Sequence, residues 1–261
     1  MKKSMCYGFC PKMSHEERMM LAQDAGLDAV EIFQNDDQVE VEKICKAAAG
    51  AHIEIASVMC GTHWEFPLSS TDEEIREKGV AGVKNALQVA KWAGTDVVLV
   101  VPGLVTDGIS YAAAIELARK SIRECLPAAE ELGIIIALEN VWNKFLLSPI
   151  EFRDFIDGFN SPYVKAYFDV GNILLYGYPH QWIDILGERI VRVHIKDFDI
   201  NSRTFVGLLQ GSVDFPRTVN ALKGVGYDGY MTAELSAYKD FPELFVYDTA
   251  RQLEAIINSV K

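Results

Sequence analysis

The chain has 261 residues, is 49% hydrophobic and 24% charged, and carries a formal net charge of −12. That length suits one large α/β barrel or two small domains, and the composition supports a packed core rather than disorder. The acidic balance, with no run of Lys or Arg, excludes a free-standing nucleic-acid binder and suits an enzyme whose acidic rim gathers cations.

The first segment, MKKSMCYGFCPKMSHEER, holds two lysines but only a short, broken apolar run, so it is not read as a signal peptide. No window reaches the roughly 20 apolar residues of a membrane span. The five cysteines (Cys6, Cys10, Cys45, Cys60 and Cys125) form no CxxC pair, which predicts reduced thiols and a cytoplasmic setting. A strand is predicted at MCYGF (5–9). An amphipathic helix follows, with Ser14 as N-cap, Glu17 as its capping-box partner and Gly26 as its stop. LDAVEIF (27–33) leads to a helix near 37–49. HIEIASV (52–58) leads, after a long loop, to a helix from Thr71 to Trp92, with Thr71 and Glu74 as a second capping box. TDVVLVV (95–101) precedes a helix over 110–132, and GIIIALE (133–139) precedes one near 148–158. YVKAYFD (163–169) leads to a short helix containing Trp182. RIVRVHIKD (189–197) leads through a long loop to a helix near 216–223. GYMTAEL (229–235) leads to a last helix near 242–259.

Eight strand-then-helix units with continuously apolar strands predict a parallel sheet, and at this length they favour one closed (β/α)8 TIM barrel over residues 1–261. An open doubly wound sheet is the runner-up. It would want a Gly-rich phosphate turn after the first strand, which GFCPKMS does not supply.

In such barrels chemistry sits at the C-terminal strand ends. Glu139, Asp169, His194 and Glu234 close the fifth to eighth predicted strands. Three carboxylates and one imidazole suit a divalent ion that prefers oxygen. Any one of them alone would read as a rim residue; four in a row read as one site. Glu31, ending VEIF, is a further rim candidate or a structural partner of a buried polar group. His63 and Trp64 sit in the long loop after the third strand, where function is expected. Lys196 alternates with His194 and so shares its strand face. Trp142 and Lys144 follow Glu139 closely. Asn172 could bind a hydroxyl or cap the next helix. His15, His52, His180, Trp92 and Trp182 read as surface or packing residues.

The motifs ALEN, YFDVGN, VHIKD and AEL, with LLQGSVDF between the last two, resemble the xylose-isomerase-like barrel superfamily, above all the ketose 3-epimerases and the hexulose- and pentulose-phosphate 3-epimerases. The similarity covers essentially the whole chain. It implies one Mn²⁺ (Mg²⁺ or Co²⁺ in some members) held by Glu139, Asp169, His194 and Glu234. It also implies that Glu139 and Glu234 transfer the proton next to a ketose carbonyl through a metal-bound cis-enediolate. The expected partner is a small sugar or sugar phosphate, with no nucleic acid and no membrane; a homo-oligomer is an option that no patch identifies. The sugar 3-epimerases place a substrate-binding His where Asn172 stands, whereas the phosphate-sugar branch often reads DVGN as this chain does; the sugar 3-epimerases also place another Glu where Phe145 stands. Gly211 and Ser212 occupy the usual barrel phosphate position. The His63 loop, however, offers Trp64 and Glu65 where a phosphate would want arginines, and Arg203 is the nearest cation of the later loop, so the balance tips slightly toward an unphosphorylated or unusual sugar-like ketose. Rival readings are a hydroxypyruvate-type aldose–ketose isomerase or dehydratase with the same metal site, an abasic-site endonuclease of the same barrel type, and a non-catalytic sugar-binding barrel.

Overall fold

A computed structural model describes residues 1–260. Eight parallel strands close on themselves: β1 (Lys2–Cys6), β2 (Ala29–Phe33), β3 (Glu54–Met59), β4 (Val97–Val100), β5 (Ile135–Glu139), β6 (Val164–Asp169), β7 (Ile190–Ile195) and β10 (Tyr230–Ala233), which pairs back onto β1. A short antiparallel hairpin, β8 (Asp197–Asp199) with β9 (Thr204–Val206), follows β7. Helices wrap the outside: α1 (His15–Ala25), α2 (Gln38–Gly50), α3 (Glu73–Ala93), α4 (Tyr111–Leu132), α5 (Pro149–Asp157), the single turn α6 (Val170–Ile173), α7 (Pro179–Leu186), α8 (Phe215–Gly224) and α9 (Pro242–Ile257). The closed barrel is the predicted TIM-barrel architecture, and the open-sheet alternative is excluded.

Local chemistry sets the helix ends. Ser14 and Glu17 form the expected capping box of α1, and Ser110 and Ser148 cap α4 and α5. Gly26, Gly94 and Gly133 end α1, α3 and α4 in the left-handed conformation, where a side chain would be strained. At α3 the expectation fails: Asp72, not Thr71, is the N-cap, and its carboxylate accepts the N–H groups of Glu74 and Ile75. A carboxylate can take both donors and also favours the positive end of the helix dipole. The first strand also lies earlier than the predicted 5–9. Lys2 to Met5 pair with Tyr230 to Ala233, so Gly8 and Phe9 are left to form the barrel mouth. The hairpin β8–β9 lies inside what the sequence suggested was a plain loop.

Strand alternation divides the apolar residues into two layers. Val98, Val100, Ile136, Leu138, Ala166, Phe168, Val193 and Ile195 join the large core between barrel and helices. Val97, Leu99, Ala137 and Tyr167 form a second cluster inside the barrel, with Met59 and Ile135 packed against it. Glu139 shares the parity of Ile135 and Ala137, Asp169 that of Tyr167, and Glu234 that of Thr232. The candidate residues therefore continue the inner face of their strands to its C-terminal end.

Candidate metal centre and active site

Register brings four strand ends to one point. Asp169 pairs with His194 across β6 and β7, Thr232 pairs with His194 across β10 and β7, and the N–H of Glu234 donates to the Ile195 carbonyl at 3.2 Å. One donor atom each from Glu139, Asp169, His194 and Glu234 lies within 4.8 Å of every other. His194 is fully buried and stands at the centre. Its Nδ1 is 2.9 Å from Glu139 Oε1, 3.1 Å from Glu234 Oε2 and 3.9 Å from Asp169 Oδ2. Its Nε2 faces away, 2.8 Å from Glu31 Oε2. Glu31 is buried too, and its other oxygen accepts the Ser57 hydroxyl at 2.8 Å. A carboxylate behind a histidine in this way fixes the ring and leaves the opposite nitrogen for a ligand.

The arrangement fits a divalent cation. The donor set is three carboxylates and one imidazole, and Asp169 Oδ2 and Glu234 Oε2 are buried without a directed hydrogen bond. Lys196 Nζ is close to both, 2.5 Å from Glu234 Oε2 and 3.3 Å from Asp169 Oδ2, and forms ion pairs with them. Such under-satisfied buried oxygens call for an explanation, and an ion supplies one.

The electrostatics follow from burial and crowding. Burial pushes the Glu139 carboxyl up to about 7, against the pull of His194. Burial also raises Asp169, with Lys196 opposing. For Glu234 burial works upward as well, yet His194 and Lys196 outweigh it and hold the carboxyl well below its usual range. His194 and Lys196 both lie above their ordinary values despite burial, because Tyr167 and Glu31 act on the first and Asp169, Glu139 and Glu234 on the second. A bound cation would draw all the carboxyls toward the ionised form.

A cavity of about 830 Å³ opens beside Glu234 and Lys196. Phe9, Phe33, Met59, Phe205, Tyr238 and Phe245 supply rings and an apolar floor, and Gln210, Gln252 and Ser236 supply neutral hydrogen-bonding groups. These were missed from the sequence, because they come from the ends of β2 and β3, from β9, from the loops after β1, β9 and β10 and from α9, and share no spacing. Trp142 buttresses the wall. Its ring stacks on Phe205 at 4.8 Å, and its indole N–H donates to the Asn172 carbonyl at 2.9 Å.

The other candidates fall into two groups. Lys196 lines the cavity and His63 is buried near it. Burial lowers the His63 imidazole to about 4, with Glu234 and Glu31 opposing, and its Nδ1 has no partner. Asn172 is buried behind the cluster of Glu139, Asp169, His194 and Glu234. Asp169 Oδ1 accepts its backbone N–H at 2.7 Å, so Asp169 rather than Asn172 caps α6, while the Asn172 amide donates to the Asn140 carbonyl at 3.0 Å. Trp64 is exposed at the edge of its loop and meets His63 edge-on. Lys144 is exposed, sits at φ 56° and lines no part of the cavity. Among the described residues no helix is long and apolar enough to cross a membrane.

Comparison with known proteins agrees with the fold. A family model described as xylose isomerase-like TIM barrel matches residues 20–256. L-ribulose-5-phosphate 3-epimerase UlaE of Escherichia coli O1:K1 is 27% identical over 84% of this chain and 81% of its own length. The UlaE of Salmonella typhimurium is 26% identical over the same shares. D-psicose 3-epimerase from Clostridium cellulolyticum H10, solved with D-tagatose, superposes with a TM-score of 0.83 at 17% identity, covering 98% of this chain and 99% of that one. The 3-keto-D-glucoside 4-epimerase YcjR from E. coli gives 0.82 at 18%, over 98% and 99%. At those identities the two solved structures speak for the fold.

Proposed function

This chain belongs to the xylose isomerase-like TIM barrel family, and from that premise we propose that it is a divalent-metal-dependent sugar epimerase, a ketose 3-epimerase acting on a free or phosphorylated sugar. One observation carries the reading. Donor atoms of Glu139, Asp169, His194 and Glu234 converge within 4.8 Å at the ends of four adjacent strands, beside a cavity that can hold a sugar. The relatives named as 3-epimerases support it.

The four residues would hold the ion; Mn²⁺ suits the oxygen-rich set, with Mg²⁺ or Co²⁺ as alternatives. Bound there, it would supply Lewis-acid stabilisation of the negative charge that develops on the substrate oxygens. The chain's own groups do the rest. Epimerisation next to a carbonyl needs one group to take the carbon-bound proton and a second to return a proton to the opposite face. Glu139 and Glu234 are the two carboxyls with this role. Asp169 and His194 position, with Glu31 fixing the imidazole ring. Lys196 places a positive charge beside Glu234 and Asp169. The Phe205 ring, braced by Trp142, shapes one wall of the sugar cavity. His63, Trp64 and Asn172 are proposed as sugar-side residues on the weaker ground of position. Five cysteines without a disulfide fit a reducing, cytoplasmic setting.

The test is a screen of ketoses with Mn²⁺ present, repeated on Glu139→Gln and Glu234→Gln proteins of equal metal content. Near wild-type turnover by both variants would remove the assignment. Interconversion of an aldose and a ketose, without epimer formation, would shift the reading to an aldose–ketose isomerase. The net charge of −12 and the phenylalanine-lined cavity speak against an endonuclease.

A further inference from the structure

We propose that Lys196 is a tethered competitor of the divalent ion: its ammonium holds two of the oxygens that the ion needs, so the chain itself lowers the ion's affinity, and a bound ion turns the ammonium toward the sugar cavity. This role rests on the metal-dependent reading above and belongs to a residue outside the four ligands.

The competition is visible in which oxygens Lys196 meets. Asp169 Oδ1 is taken by the Asn172 N–H at 2.7 Å, which leaves Oδ2 to face the cluster, 3.9 Å from His194 Nδ1. Glu234 likewise turns Oε2 to His194 Nδ1, at 3.1 Å. Lys196 Nζ lies against these same two atoms, 3.3 Å from Asp169 Oδ2 and 2.5 Å from Glu234 Oε2. Both oxygens are buried and neither has a hydrogen-bond partner, so charge is what holds the ammonium there. A divalent ion bonded to those atoms would stand next to the ammonium, and burial leaves the repulsion between the two cations poorly screened. By linkage, each occupant weakens the other by the same factor.

The side chain has a fixed root and a movable end. Gly171 packs on the root: a Cβ there would come 2.6 Å from Lys196 Cβ. The ammonium sits at the end of a flexible four-carbon stem. On its open side lies the cavity that Lys196 itself lines. The Phe205 ring centroid is 5.4 Å from Nζ, within cation–π range, and Gln210 and Ser236 line the same space. An ammonium turned that way faces the oxygens of a sugar. The charge balance gives the reason to turn. Glu31, Glu139, Asp169 and Glu234 have His194 and Lys196 as their cationic partners. A divalent ion brings the missing positive charge and removes the need for Lys196 at those oxygens. Loading the ion and presenting a positive charge to the sugar then become one event.

The experiment measures Mn²⁺ binding to the full chain, by calorimetry and by the electron-spin signal of free Mn²⁺. Wild type, Lys196→Met, Lys196→Gln and Lys239→Met are compared at one ionic strength. Lys239 is exposed on the loop after β10 and does not line the cavity, so its variant reports the effect of removing any positive charge. Lys196→Met and Lys196→Gln are expected to bind Mn²⁺ about tenfold more tightly than wild type, within the usual range of coupling between sites. Lys239→Met is expected to stay within about twofold, because water and salt screen an exposed charge. In wild type, acylation of the Lys196 amine, read by peptide mass spectrometry, is expected to speed up when Mn²⁺ is added, with Lys239 unaffected. Equal or weaker Mn²⁺ binding by the Lys196 variants, equal tightening in Lys239→Met, or a Lys196 labelling rate that Mn²⁺ does not change overturns the inference and leaves the epimerase reading standing. Tightening at Lys196 in a protein that turns over no ketose supports the inference and overturns the epimerase reading. No Mn²⁺ binding by any of these proteins overturns both.

Discussion

The two ends of the barrel interior are both charged, yet they treat charge differently. Strand β7 carries inward residues to both. At the bottom, the Arg192 guanidinium donates to the Ala56 carbonyl at 2.7 Å and pairs with Asp96 at 2.5 Å, and it lies 5.0 Å from the Tyr230 ring. Asp96 is largely exposed, so water shares the load and the charges balance. At the top, two residues along, His194 and Lys196 face the carboxyls of Glu31, Glu139, Asp169 and Glu234. There the carboxyls outnumber their cationic partners, and two buried oxygens lack directed hydrogen bonds. A satisfied ion pair at one end serves the fold, while the surplus of carboxyls at the other is what a divalent cation would complete.

If that contrast holds, substitutions at the two ends separate activity from stability. The largest effect belongs to the top. Glu139→Gln and Glu234→Gln are each expected to lower turnover by about 10²–10⁴-fold, the usual worth of a positioned acid or base, with little change in thermal midpoint. Rates normalised to bound metal check this.

His63 sharpens the contrast by showing that the top costs stability in acid. Its imidazole sits at about 4 in the folded chain, because burial disfavours the charged form, against roughly 6.5 when unfolded. Between these values the unfolded chain binds a proton that the folded chain does not, so stability present above pH ~6.5 is lost as pH falls toward ~4. The loss reaches at most about 3 kcal/mol. Urea melts across this window should show the slope in wild type and a flatter profile in His63→Phe.

At the bottom, Arg192→Met removes a charged donor from the Ala56 carbonyl, which keeps the Thr95 hydroxyl at 3.1 Å, and should cost about 1.5–3 kcal/mol of stability, read by denaturant unfolding. The kcat of protein that remains folded should be unchanged. A drop in kcat equal to that of the Glu139 variant would break the division between the ends. The smallest effect concerns the cavity wall. Trp142→Ala removes the stack on Phe205, worth about 0.5–1.5 kcal/mol, and should raise KM by up to about tenfold with kcat changed less.

Much of this was legible in the sequence, for physical reasons. Inner and outer residues alternate along each strand, so the ends of four apolar runs announced Glu139, Asp169, His194 and Glu234 on one face. The buffer of Glu31 behind His194 was half legible: its strand end was visible, but its partner on a strand 163 residues away was not. Lys144 drew notice by its nearness in sequence to Glu139, and its left-handed backbone just past β5 leaves the side chain in solvent. The aromatic wall was illegible because Phe9, Phe33, Phe205 and Phe245 meet only once the barrel has closed. The hairpin β8–β9 is three residues a side, too short to leave a periodic signal.

The most direct measurement is deuterium incorporation into a ketose that the Mn²⁺-loaded protein turns over in D₂O. Label at carbon 3, appearing with the epimer and abolished in the metal-loaded Glu139→Gln and Glu234→Gln proteins, is the expected result. Epimer formation without label, or label that persists undiminished in both variants, would contradict proton transfer by this pair of carboxyls.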